Sequence, residues 1–167
     1  KTRDGAAEQS AVAEYSLLVL GAGNCRDLDL GRLLQGFGVI RLADLDLEAV
    51  QTAAANWPAA AEQLQLHAPL DAAWPLLQEL MAQQRSDAVV PLSERWPAFL
   101  RFLAAPHAPW DIPQTSTVVS VCLLTQLIES LAQLVPSQSP EFVPALQALR
   151  MGHLRRMLHQ TQPGGRV

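Results

Sequence analysis

The residues Leu18-Val19-Leu20-Gly21-Ala22-Gly23-Asn24-Cys25 carry the most readable chemistry in this chain. A short apolar run ends there in a Gly-X-Gly turn. Gly21 lets the backbone turn tightly without a Cβ clash, and Gly23 lets a ligand approach it closely. A helix starting behind such a turn offers unpaired N–H groups. The dinucleotide pattern asks for a third small residue, and Arg26 stands in its place. Asp44 ends a second apolar run, 21 positions after Gly23. In a parallel sheet a carboxylate there lies beside the first loop and can accept both hydroxyls of a ribose. Asp46 competes for that role, and both could instead cap a helix starting at Leu47.

Other reactive side chains have plainer readings. His67, at a strand end, could act as a base but reads as a half-buried histidine. His107 lies in a Pro-rich loop, and His153 and His159 do not share a helical face, so no metal site is expected. Cys25 and Cys122 are too few for a disulfide framework or an unaided zinc site, and they read as buried reduced thiols. Trp57, Trp74, Trp96 and Trp110 read as packing residues. Arg150, Arg155 and Arg156 read as a solvated helix face.

The elements that must position these residues follow from the hydrophobic pattern. Ser16 to Leu20 is a short run with a glycine stop, which predicts a buried strand. Asp27 to Gln35 has helical spacing, with Asn24 and Asp27 as acceptors at its start and Gly36 and Gly38 as stops. Val39 to Leu42 predicts a second strand, Leu47 to Trp57 a helix, and Leu64 to His67 a weaker third strand. Residues 72–112 break the rhythm with prolines, and short helices are expected around 73–84 and 93–104. Val118 to Leu123 predicts the fourth strand. Ile128 to Val135 and Pro140 to His159 predict helices. Thr161 to Gly165 reads as a turn, and Arg166-Val167 as a fifth strand barely begun. Residues 1–15 read as a frayed terminus.

Strand and helix alternate with tight links, the mark of parallel βαβ units. The predicted fold is therefore α/β: a Rossmann-like parallel sheet in an order starting 3-2-1-4, flanked by helices. The ligand crevice falls between strands one and four, where the connections reverse direction. Residues 72–112 would form a helical insertion overhanging it, with Trp74, Trp96 and Trp110 nearest. Residues 1–167 are expected to form one domain, the N-terminal portion of a larger one.

Composition narrows the function. Of 167 residues, 49% are hydrophobic and 17% charged, which argues against long-range disorder. A net charge of −4 argues against a broad phosphate-binding surface, and so against charge-driven nucleic-acid binding. No apolar run is long enough for a membrane span, and no signal peptide opens the chain. A cytoplasmic location is expected.

In their order along the chain, Leu20-Gly21-Ala22-Gly23-Asn24, Leu42-Ala43-Asp44-Leu45-Asp46 and Val118-Val119-Ser120 resemble the class I S-adenosylmethionine-dependent methyltransferases. The resemblance spans roughly residues 14–167. The closing Gln162-Pro163-Gly164-Gly165-Arg166-Val167 is similar to the Pro-Gly-Gly turn before that family's fifth strand. The resemblance implies S-adenosylmethionine as cofactor, with Gly21, Ala22 and Gly23 lining its methionine end. Asp44 would bind the ribose, Leu45 would cover the adenine, and Asp71 would lie near the adenine amino group. Ser120, Val121 and Cys122 would face the cofactor and the substrate cleft.

This sequence departs from the family in three places. Val19 and Leu20 stand where many members carry an acidic residue. Ser120-Val121-Cys122-Leu123-Leu124 replaces the Asn/Asp-Pro-Pro-aromatic motif of members that methylate amino groups of nucleobases or glutamine. Strands five to seven are missing, so strand four is expected to expose an apolar edge. The rest of a larger protein or a second copy, forming a homodimer, would cover it. The functional expectation is a methyltransferase with an unnamed acceptor. The alternative is a non-catalytic binding domain with a decayed cofactor site. A nicotinamide-dependent oxidoreductase is disfavoured by Arg26.

Overall fold

The computed structural model describes residues 15–70, 92–105 and 110–167. Asp71, Trp74, His107 and the helix expected around 73–84 lie outside these residues. In chain order the elements are β1 (Ser16–Leu20), α1 (Leu30–Gly36), β2 (Val39–Ala43), α2 (Leu47–Ala55), a 3-10 turn (Pro58–Ala60) and β3 (Leu64–His67). Then follow α3 (Leu92–Ala104), β4 (Thr115–Ser120), α4 (Leu123–Leu134), α5 (Phe142–Gln160) and β5 (Thr161–Arg166). The strands form one sheet in the order β3-β2-β1-β4-β5, with every pairing parallel. The chain has the expected Rossmann-like α/β fold. Among the described residues, one compact unit holds the sheet with α1 and α2, and a second holds α3, α4 and most of α5.

The sheet is organised around β1. Its residues Leu17, Leu18, Val19 and Leu20 are all fully buried, so both faces of the strand are covered. That explains its uninterrupted apolar sequence. On one face Leu17 and Val19 join Ile40, Leu42 and Leu64, and Leu30 of α1 with Val50 and Ala53 of α2 pack against them. Each buried Leu or Ile contributes about 1.5–3 kcal/mol through removal from water. The two helices start where carboxylates can hold their free amides. Asp29 Oδ1 accepts the Arg32 N–H at 3.0 Å, and Asp46 Oδ1 accepts the Ala49 N–H at 3.0 Å. A Cβ at Gly31 would lie 2.7 Å from the Trp57 ring, which places that indole against α1.

Two strands differ from the sequence reading. β4 begins at Thr115, three residues before the expected start, because its first half is threonine and serine rather than aliphatic. Thr115 is nonetheless fully buried, and its hydroxyl donates to the Thr117 carbonyl at 2.9 Å. At the same end Ser16 and Ser116 exchange hydrogen bonds between β1 and β4. The Ser16 N–H donates to Ser116 Oγ at 2.8 Å, and the Ser116 N–H to Ser16 Oγ at 3.2 Å. The second correction is larger: β5 is present and pairs with β4. Thr161 stands opposite Thr115, and Arg166 opposite Thr117. Gln162 to Gly165 bulge out between those pairs. Gly164 has a φ of +81°, and a Cβ on Gly165 would lie 2.6 Å from the Ser116 carbonyl oxygen. Pro163-Gly164-Gly165 therefore belongs to a bulged strand rather than a terminal turn. β5 thus occupies the edge of β4 that was expected to lie exposed.

The second unit is tied together through α5. A Cβ on Gly152 would lie 2.0 Å from the Leu103 carbonyl oxygen, so only glycine permits α3 and α5 to approach this closely. Arg155 Nη1 donates to the Ala104 carbonyl at 2.7 Å, holding an otherwise orphaned acceptor at the end of α3. The Arg156 guanidinium is buried and stacks over the Trp110 ring at 4.8 Å. Of the expected solvated arginine face, Arg150 and Arg155 are exposed and Arg156 is not, and Trp110 serves packing. Trp96 stacks on Phe99 at 5.4 Å. Pro97, expected to break the chain, lies inside α3, where it removes one helical hydrogen bond.

Gly152→Ala is expected to destabilise the protein by about 1–3 kcal/mol or more through overpacking against backbone. Gly36→Ala, where a Cβ meets nothing within 4 Å, should change stability little. Urea unfolding of the two variants checks both. A pH effect is also expected from His153, which is buried, and burial followed by the Arg156 charge depresses its affinity for protons. The unfolded imidazole titrates near 6.5, so unfolding takes up a proton below that pH. The stabilisation is therefore complete above about pH 6.5 and lost as pH falls toward the depressed folded value. Thermal midpoints between pH 7.5 and 5.5 should show this fall, and His153→Gln should flatten it.

Candidate functional site

The carboxyl ends of β1, β2 and β4 lie side by side. Leu20 stands opposite Ala43 on β2 and opposite Ser120 on β4. From β1 the chain runs to β2 on one side, while β4 returns on the other, so the connections diverge at this point. In open α/β sheets such a divergence forms a crevice above the strand ends.

The glycine loop is held against β2 by hydrogen bonds. The Gly21 and Ala22 N–H groups both donate to the Ala43 carbonyl, at 2.9 and 3.2 Å. Gly21 has a φ of +72° and Gly23 of +49°, both left-handed and costly for any other residue. The Gly23 N–H then donates to Asp44 Oδ2 at 2.7 Å. The other carboxylate oxygen, Oδ1, accepts the Asp46 N–H at 2.9 Å. The main chain of Asp44 is fixed as well: its N–H donates to the His67 carbonyl at 3.3 Å, and its carbonyl accepts the Leu70 N–H at 2.7 Å. The loop, β2 and the end of β3 thus meet at one half-buried carboxylate.

This geometry separates the two aspartates. Asp46 is the helix cap, whereas Asp44 caps nothing and faces the loop. A carboxylate offers about four lone-pair positions. Two are taken by backbone amides, which leaves capacity for two further donors. A Cβ on Gly23 would meet nothing within 4 Å, so the space beside the loop is open. Leu45, next to Asp44, is 61% exposed, an apolar side chain available to a flat ring. Ala22 is buried, and Ser120 is half-buried opposite Leu20. The structure therefore brings Gly21, Ala22, Gly23, Asp44 and Ser120 to the same end of the sheet. Asp71 lies outside the described residues.

The start of α1 differs from expectation. The helix begins at Leu30, seven residues beyond Gly23, and its cap is Asp29 rather than Asn24 or Asp27. Asn24 Oδ1 instead accepts the Arg26 N–H at 3.3 Å within the loop. No helix N-terminus stands directly behind Gly23, and the one that follows is already answered by a carboxylate. This arrangement does not suit a pyrophosphate.

Of the two cysteines read as buried thiols, Cys25 is buried and Cys122 is not. Cys25 is buried in the loop with a φ of +56°. Burial, then the Asp44 charge, pushes its thiol up, so it stays protonated and un-nucleophilic. Cys122 is exposed and takes a φ of +57° as the residue that turns the chain from β4 into α4. That sharp turn is why α4 starts at Leu123, five residues before the expected start.

One polar residue escaped the sequence reading. Arg41 lies in the middle of β2, and its Nε and Nη1 are buried without a hydrogen-bond partner. His67 is half-buried as expected, but its Nε2 is likewise buried and unpartnered. Burial, then the Arg41 charge, lowers the His67 proton affinity, and the Asp111 carboxylate opposes this. The signal for Arg41 was a lone charge in the otherwise apolar Val39-Ile40-Arg41-Leu42-Ala43. Among the described residues no cluster of His, Cys, Asp or Glu could hold a metal ion, and no helix is long and apolar enough to cross a membrane. No family model, curated protein or solved structure matches this chain.

Proposed function

We propose that the Gly21–Gly23 loop and Asp44 bind S-adenosylmethionine, and that the chain is a methyltransferase using it. The observation that carries this reading is the Asp44 carboxylate. It is held at the switch point by the Gly23 and Asp46 amides, with lone pairs left for the two hydroxyls of a ribose. The open space beside Gly23 suits a close ligand, and the exposed Leu45 suits an adenine face. The absence of a bare helix N-terminus behind the loop favours a cofactor without a pyrophosphate over a dinucleotide.

When bound, S-adenosylmethionine supplies an activated methyl group. Displacement at that carbon needs mainly alignment of the acceptor, so few acid–base residues are required of the protein. Ser120, at the end of β4, is the polar side chain best placed by register to meet the acceptor. The rival reading, a binding domain without catalysis, shares the same cofactor residues and is separated by assay rather than by affinity.

Calorimetry with S-adenosylmethionine, its demethylated product and NAD tests the proposal. The first two are expected to bind and NAD is not; no heat with any of them at millimolar concentration overturns it. Asp44→Ala is expected to weaken binding by about 1–3 kcal/mol, through loss of charge-assisted hydrogen bonds. Gly23→Val is expected to abolish binding, because its side chain fills the open space and strains a left-handed backbone. Methyl transfer to any acceptor in a cell extract supplied with labelled cofactor distinguishes an enzyme from a binding domain.

A further inference from the structure

The sheet face opposite α1 and α2 carries an unusual pair. Ile40 and Leu42 point into the core beneath those helices, so Arg41 between them belongs to the other face. There its parallel neighbours are Leu18 on β1 and Gln65 on β3. The next residue on that face of β2 is Ala43, paired with His67. Arg41 and His67 are thus diagonal neighbours on adjacent strands, and Ala43, beside them, is only a methyl group.

Neither side chain has all its nitrogens satisfied. Nε and Nη1 of Arg41 and Nε2 of His67 are buried without a hydrogen-bond partner. Asp111 acts on His67 from a distance but is itself exposed. Arg41 is half-buried and its guanidinium stays charged at any ordinary pH, so leaving its buried Nε and Nη1 donors unmade is costly. Buried polar groups in native structures are otherwise paired almost throughout. An aliphatic residue at position 41 would have matched its strand neighbours. On the edge strand, Gln65 beside Arg41 is exposed.

We propose that Arg41 and His67 form an oxyanion site, which takes the phosphate or carboxylate group of a small molecule. Arg41 supplies the fixed charge and two N–H donors, and His67 supplies a further donor when its Nε2 carries the proton. The site lies on a different face from the cores of α1 and α2 and uses none of the residues assigned to the cofactor. It therefore stands or falls separately from the reading of Asp44.

Nitrogen-15 NMR of the full chain at pH 7 tests it. The protein is titrated with inorganic phosphate and, separately, with acetate, against chloride at equal ionic strength. Saturable movement of the Arg41 Nε and His67 ring signals is expected, with a rise of several degrees in the thermal midpoint. The anion that acts at lower concentration identifies the phosphoryl or the carboxylate source. Arg41→Met should abolish the response. It should also melt no lower than the wild type in chloride, since it replaces unpartnered donors with apolar atoms. No saturable movement with either anion, or an unchanged response in Arg41→Met, overturns the proposal. Should Arg41→Met fail to fold, the wild-type Arg41 signal decides alone: saturable movement supports the site and its absence overturns it.

Discussion

The hydrogen bond from the Gly23 amide to the Asp44 carboxylate is the contact on which the candidate site depends. It joins a loop that follows β1 to the residue that follows β2, across 21 positions of sequence. A charge-assisted bond of this kind is worth about 1.5–3 kcal/mol, and it holds a left-handed backbone that glycine adopts without a Cβ clash. The carboxylate is itself fixed, because the Asp44 main chain is bonded on both sides to the segment around β3. Without β3 in register, Asp44 would have no defined position. Without Asp44, the Gly23 amide would have lost its acceptor.

That register comes from the core. A parallel strand buried on both faces has no polar face to hide, so a slip by one residue would not expose apolar side chains on β1 itself. The specification comes from β2 and β3, where Ile40, Leu42 and Leu64 face the helices while Arg41 and Gln65 face away. Shifting β2 by one residue would drive the Arg41 side chain beneath α1 and α2. The alternation on these outer strands thus sets the register that brings Ala43 beside Leu20, and with it Asp44 beside the loop.

Much of this was legible in the sequence, for identifiable reasons. β1 and β3 are found at their expected residues, β1 as an apolar run stopped by Gly21 and β3 as the alternating Leu64-Gln65-Leu66-His67 stopped by Pro69. Asp44 was legible because the spacing between a first turn and the end of a second strand is set by the length of one βαβ unit. β4 was misplaced because buried Thr115, its hydroxyl satisfied by the Thr117 carbonyl, does not look apolar. β5 was missed because Pro163-Gly164-Gly165 is turn chemistry by composition, and only the bulge against Ser116 makes it a strand. Cys122 was misread as buried for a related reason. A positive φ at a non-glycine residue leaves no compositional trace, and both cysteines adopt one where the chain turns away from a strand end.

β2 carries two charges of opposite sign three residues apart, and their treatment differs. Asp44 stands past the last paired residue, where backbone amides from the loop and from its own turn can converge on it. Arg41 stands inside the ladder, where neighbouring amides and carbonyls are already committed to strand pairing. A carboxylate at a strand end can be satisfied by main chain alone, since free N–H groups are common at turns. A guanidinium in mid-strand needs acceptors, and none reaches the buried Nε and Nη1 of Arg41. The same strand therefore shows one charge whose partners come from the fold and one whose partners must come from elsewhere. That difference follows from position in the ladder rather than from residue type, and it makes Arg41, rather than Asp44, the residue whose retention the fold alone does not account for.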